Sequence, residues 1–187
     1  MVQSENSQRI FFISLFTLYL VFFFFPCWAQ AADHIDFDNL KMDQEIDPGN
    51  RSILIIAEVR PAAVIPGEEL TLRIIGRTES GYHLYSIRKQ GEYAPDPTKI
   101  VVKNPFLTSS SEMKESPTVL VIDEAFEMSL QVHKGDFWIS RSFLMNKMTP
   151  PGSYRISGYL LYQVCSSRIC SLPLKKRFNT EIIVNKP

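Results

Sequence analysis

The chain has 187 residues, 45% of them apolar, which is enough for one domain with a real core and too apolar for wholesale disorder. Twenty Lys and Arg balance twenty Asp and Glu, and this zero net charge argues against a nucleic-acid binder, which needs a basic surplus to meet phosphates. Three cysteines are too few for a disulfide-built miniprotein and enough for one deliberate pair.

The first segment reads as an address rather than as part of the fold. Ile10 to Pro26 form an apolar run, with Arg9 before it and Ala29-Gln30-Ala31 after it. That order is that of a secretory signal peptide, residues 1–31, cleaved after Ala31. Ser14 and Thr17 interrupt the run, which falls short of the roughly 20 apolar residues of a comfortable membrane span. A retained anchor is the alternative. Cys27 leaves with the signal, and the bulky Phe24 and Phe25 before it do not suit a lipidated cysteine. The mature chain is therefore expected in the periplasm or otherwise exported, where disulfides are permitted. It then holds Cys165 and Cys170 as its two cysteines.

Residues 32–50 are acidic and weakly periodic and read as a lead-in. From residue 51 to 187 the pattern is that of strands. The runs are SILIIAEV, ELTLRIIG, GYHLYS, PTKIVV, TVLVI, SLQV, FWISRSFL, SYRISGYLLYQVC and LKKRFNTEIIV. They are short, β-branched and aromatic, bounded by Gly, Pro, Asn or Ser, as in an all-β antiparallel sandwich. In the run before Cys165, Tyr154, Ile156, Leu160, Tyr162 and Val164 share one parity and should enter the core. Cys165 has the opposite parity and is expected on the more polar face. Cys170 shares the apolar parity of Leu172, Leu174, Phe178 and Ile182. Pairing the two cysteines then needs an irregularity near Pro173.

Cys165-Ser-Ser-Arg-Ile-Cys170 is a C-x4-C spacing that fits a hairpin loop. Paired positions on antiparallel strands lie close enough for a disulfide. A staple across so short a loop contributes about 2 kcal/mol. The spacing alone leaves a structural staple and a redox-active pair both open. No second C-x-x-C accompanies it, as a cysteine zinc site requires. His34, His83 and His133 are not at metal-ligand spacing, and His83 reads as a packed or edge imidazole. Met113, Met128, Met145 and Met148 read as apolar filler, with a copper carrier as the remote alternative. No dinucleotide, Walker or nucleophile-elbow motif is present, and no cofactor is implied.

The neighbourhood of the pair is more informative. Tyr162-Gln163-Val164-Cys165 … Cys170-Ser171-Leu172-Pro173 follows Gly81-Tyr82-His83-Leu84-Tyr85-Ser86, Pro97-Thr98-Lys99-Ile100 and Asp123-Glu124-Ala125-Phe126. In order and spacing these resemble the periplasmic amino-terminal domain of DsbD, the membrane thiol:disulfide transporter, over roughly residues 60 to 184. The resemblance implies an immunoglobulin-like sandwich with a cysteine-bearing hairpin. It also implies passage of electrons from a thioredoxin-like donor to exported acceptors, as in cytochrome c biogenesis. By it, Asp123, Glu124 and Phe126 form a cap loop over the disulfide. Cys170 forms the mixed disulfide, Cys165 resolves it, and Tyr82, Tyr85 and Tyr162 are supporting aromatics. The implied partners are thioredoxin-like domains and a membrane electron transporter. The sequence shows no electron channel and no thioredoxin domain, so the donor is expected to be another protein. The alternative is a non-catalytic binding or assembly module with a structural disulfide.

Overall fold

The computed structural model describes residues 52–166 and 169–187. The expected signal peptide and lead-in lie outside the described residues. Thirteen strands and no helix make up the described residues, an all-β antiparallel sandwich as expected. The long strands arise where the sequence alternates. In β3 (Glu69–Thr78), every second residue from Leu70 is buried, because a strand turns successive side chains to opposite faces.

One sheet has the order β1 (Ile53–Arg60), β3, β10 (Asp136–Met145), β6 (Leu107–Ser109), with β7 (Lys114–Glu115) also on β10. The facing sheet runs β2 (Ala63–Val64), β13 (Leu174–Val184), β11 (Gly152–Tyr162), β5 (Lys99–Val102). Between them lies the main core, with Ile53, Leu70, Leu72, Ile74, Ile139 and Phe143 from one side and Ile100, Ile156, Leu160, Phe178 and Ile182 from the other. Burying such side chains is worth about 1.5–3 kcal/mol each, so this layer drives folding. Gly158 of β11 is required by close approach. A Cβ there would run into the Val101 carbonyl and the Phe178 ring.

A third sheet positions the cysteines. Its order is β12 (Val164–Cys165), β4 (His83–Tyr85), β9 (Met128–His133), β8 (Val119–Asp123). The connection from β9 into β10 is Lys134-Gly135, with Gly135 at φ 72°, a conformation glycine adopts without a Cβ clash. A second tie is Glu115 on β7. Its carboxylate accepts hydrogen bonds from Ser86 Oγ at 2.7 Å, the Ile87 N–H at 2.9 Å and His133 Nε2 at 3.0 Å. These contacts lock the ends of β4 and β9 onto the large sheet. Burial pushes the Glu115 carboxyl up, but the hydrogen bonds from His133, Ile87 and Ser86 outweigh it and hold the group below the usual carboxylate range.

All nine expected runs form strands. β2, β6 and β7 were not anticipated, being two or three residues long. The run before Cys165 departs from expectation in one respect. Its core parity is as read, with Ile156, Leu160, Tyr162 and Val164 buried. Cys165, however, is fully buried rather than on a polar face. The strand ends at Tyr162, and after Gln163 the chain joins the third sheet as β12, so the parity of β11 no longer sets its environment.

Candidate functional site

The hairpin arms β11 and β13 pair in a constant register, ending at Tyr162↔Leu174. Beyond it the isolated antiparallel bridge is Cys165↔Cys170. Three steps along one arm thus match four along the other, a one-residue offset on the return arm beside Pro173. Ser171 covers the irregularity. Its N–H donates to the Val164 carbonyl at 2.9 Å, and its Oγ accepts from the Val164 N–H at 3.2 Å. The Gln163 amide holds the Ser171 carbonyl at 3.0 Å. Across the tip, the Ser166 N–H donates to the Ile169 carbonyl at 2.9 Å. The offset brings the two cysteines opposite each other, and they are joined as a disulfide with Cα atoms 4.0 Å apart.

The sulfurs sit on a small second core. Cys165, Tyr85, Leu130 and Val132 are buried in it, and Phe126, Met128, Val121, Ala94 and Cys170 pack against it partly exposed. The two sulfurs are thus unequal: Cys165 is fully buried, and Cys170 is only partly buried, near exposed Ile169 and Leu172.

Strand β4 supplies the polar groups. His83 and Tyr85 are two residues apart and share a face, with Cys165 registered opposite His83. The Tyr85 hydroxyl lies 2.6 Å from Asp123 Oδ2, 2.7 Å from Cys165 Sγ and 3.5 Å from Cys170 Sγ. It has one proton, and the carboxylate is the stronger acceptor. His83 Nε2 lies 3.1 Å from the same Asp123 oxygen. Burial, then the hydrogen bond and charge of Asp123, hold the Tyr85 hydroxyl far above its ordinary range, so it stays protonated. For Asp123 burial acts upward, but hydrogen bonds from Tyr85, His83 and the Phe126 and Ala125 N–H groups prevail and keep it ionised below its usual range.

Asp123 also builds the turn above the site. Its Oδ1 accepts the Ala125 N–H at 3.0 Å and the Phe126 N–H at 3.2 Å, an Asx-type turn joining β8 to β9. Glu127 closes it in the left-handed region at φ 52°. The Phe126 ring then meets Tyr85 edge-on, with centroids 6.0 Å apart.

Of the residues named from sequence, Cys165, Cys170, Asp123, Phe126 and Tyr85 come together here. Glu124 is in the same turn but exposed. Tyr162 lies in the main core and Tyr82 packs against it, on the sandwich side rather than around the sulfurs. His83 is the residue that sequence reasoning passed over. Its signal was the two-residue spacing from Tyr85, not a metal motif. A groove of about 790 Å³ lies elsewhere, lined by Ile87, Arg88, Met113, Glu115, Trp138 and Arg141 and by no residue of the sulfur site.

No protein-family model matches the sequence, and no curated protein matches it significantly. Solved structures do. The amino-terminal domain of DsbD from Neisseria meningitidis, in its reduced form, is 19% identical, with 70% of this chain and 90% of that one covered and a TM-score of 0.40. The amino-terminal periplasmic domain of ScsB from Proteus mirabilis is 18% identical over 76% of this chain, with a TM-score of 0.47; the match spans 51% of that chain. The major pilin subunit BcpA of Bacillus cereus is 9% identical over 71% of this chain and 40% of its own, with a TM-score of 0.40.

Proposed function

We propose that the chain is an exported thiol–disulfide interchange module. It relays electrons between a thioredoxin-like donor and periplasmic acceptor proteins through Cys165 and Cys170. The observation that carries this reading is the inequality of the two sulfurs. Cys165 is fully buried against a hydroxyl–carboxylate–imidazole chain, while Cys170 is only partly buried. The resemblance of the motif order to that of the DsbD amino-terminal domain supports the same reading.

The chemistry follows from that arrangement. A donor thiolate attacks Cys170 Sγ in line with the disulfide, forming the mixed disulfide and expelling Cys165 as a thiolate. The Tyr85 O–H turns from Asp123 to donate to that sulfur, and the thiolate then takes a proton. The donor's second thiol attacks its own sulfur in the mixed disulfide and releases Cys170. Two electrons and two protons have moved, leaving the donor a disulfide and this chain a dithiol. The same steps in reverse reduce an acceptor. Anionic Asp123 beside the sulfurs disfavours a resting thiolate, so the reduced pair is slow with small oxidants. Phe126 over Tyr85 adds a steric cover, which a docking protein displaces.

The test is a trap. Cys165→Ala leaves Cys170 as a free thiol. Activated as its mixed disulfide with thionitrobenzoate and mixed, with a metal chelator, with a reduced thioredoxin-like protein that keeps only its attacking cysteine, it should expel thionitrobenzoate and give a reductant-sensitive adduct that Cys165→Ala/Cys170→Ala does not. No adduct with any thioredoxin-like candidate, together with a potential below about −300 mV, would return the pair to a structural staple.

A further inference from the structure

The same pocket gathers a set of metal-binding atoms whose members are far apart in sequence. His83, Asp123 and Cys165 are all buried, and one ligand atom from each falls within 4.8 Å of the others. Cys170 Sγ is bonded to Cys165 Sγ and so stands at the edge of the same cluster. In the oxidised form the sulfurs are neutral and poor ligands, and the Tyr85 hydroxyl bridges Asp123 Oδ2 and Cys165 Sγ. Reduction changes both charge and spacing. Each sulfur gains one electron and one proton and can then ionise, and two unbonded sulfurs separate to van der Waals distance. Two thiolates on a tetrahedral zinc ion, with Zn–S bonds of about 2.3 Å, stand just under 4 Å apart, close to that relaxed separation.

We propose that the reduced form binds one zinc-type divalent ion through Cys165 Sγ, Cys170 Sγ, His83 Nε2 and Asp123 Oδ2. Two thiolates, one carboxylate and a neutral imidazole suit a borderline-soft tetrahedral ion. The supporting contacts are in place. Asp123 Oδ1 is held by the Ala125 and Phe126 N–H groups, which aims Oδ2 at the sulfurs. Tyr85 is an outer donor to the carboxylate or a thiolate. Binding displaces two thiol protons, two thiols and one divalent ion giving the dithiolate complex and two protons. Both sulfurs are then withdrawn from exchange, so the ion acts as a reversible lock on the reduced state. In that regulatory role the inference rests on the relay reading, but the binding itself needs only a reducible disulfide.

The experiment separates the two. The signal-free chain is reduced with a water-soluble phosphine. One water supplies the oxygen of the phosphine oxide, and its two hydrogens end on the sulfurs. The phosphine is removed without air and two free thiols are confirmed. Cobalt(II) is then titrated as the spectroscopic probe, and zinc against a chromophoric chelator. The reduced chain should take up one ion, with the visible bands of a tetrahedral cobalt site and thiolate charge transfer in the near ultraviolet. The oxidised chain should take up none. His83→Ala and Asp123→Asn, checked for folding in the oxidised state by circular dichroism, should each weaken zinc about tenfold or more. Zinc uptake should also suppress reduction of an oxidised thioredoxin-like protein by the reduced wild-type chain, reversed by chelator. Absence of uptake by the reduced chain overturns the site. So does equal uptake by the oxidised chain, or an unchanged cobalt spectrum and affinity in whichever of the two variants folds. Because the trap contains chelator, adduct without uptake refutes only the metal site, and uptake without adduct refutes only the relay.

Discussion

Phe126→Ala tests the proposed cover over the sulfurs. The ring is partly buried, and its main specific partner is Tyr85, edge-on at 6.0 Å. A fully buried Phe is worth about 1.5–3 kcal/mol, so a partly buried one is worth roughly half that. The edge-to-face pair adds about 0.5–1.5 kcal/mol. If this contact separates the closed turn from an open one, its loss shifts that balance by about 1.3–3 kcal/mol, a rise of roughly 10- to 150-fold in the open population. The assay is the rate at which the reduced, metal-free pair reacts with a small alkylating reagent, measured under stopped flow. The rate should rise by about that factor, while global stability falls by no more than about 3 kcal/mol. The polar turn itself stays tied by Asp123 Oδ1. A change of less than about twofold in a folded variant would leave Phe126 as ordinary packing and refute the cover.

Glu115→Gln tests the tie between the third sheet and the sandwich. Its folded carboxyl lies below the usual range, so its stabilisation is full above the unfolded pKa and is lost as pH falls through the folded one. Urea midpoints measured from neutral to strongly acid pH should therefore show a smaller acid loss in the variant, and a neutral-pH stability lower by about 2 kcal/mol. Identical acid profiles would remove Glu115 from that role. Gly158→Ala places a methyl against the Val101 carbonyl and the Phe178 ring and should cost about 1–3 kcal/mol by thermal denaturation.

The large sheets were legible because their strands carry the period of a half-buried surface, as in ELTLRIIG and LKKRFNTEIIV. The pieces β2, β6 and β7 were not, since two or three residues carry no period and pair because a longer neighbour presents a free edge. The cysteine pairing was legible down to the irregularity near Pro173. The burial of Cys165 was not, because parity predicts a face only while the strand stays in one sheet, and this one changes sheets after Tyr162. The role of His83 was passed over for a related reason. Residues 83, 123 and 165 converge only through the pairing of β12 with β4 and the reach of the β8 end. Tyr82 and Tyr162 could not be told from Tyr85 by composition. Strand parity separates Tyr82 from Tyr85, which sit on opposite faces of the same short run.

Asp123 spends one oxygen on the backbone of its own turn and the other on Tyr85 and His83. A protein that pries that turn upward therefore drags a negative charge with it. In the relay proposed above, lifting the whole turn would change mechanical access to the sulfurs and the electrical climate around them together, because both hang on one carboxylate.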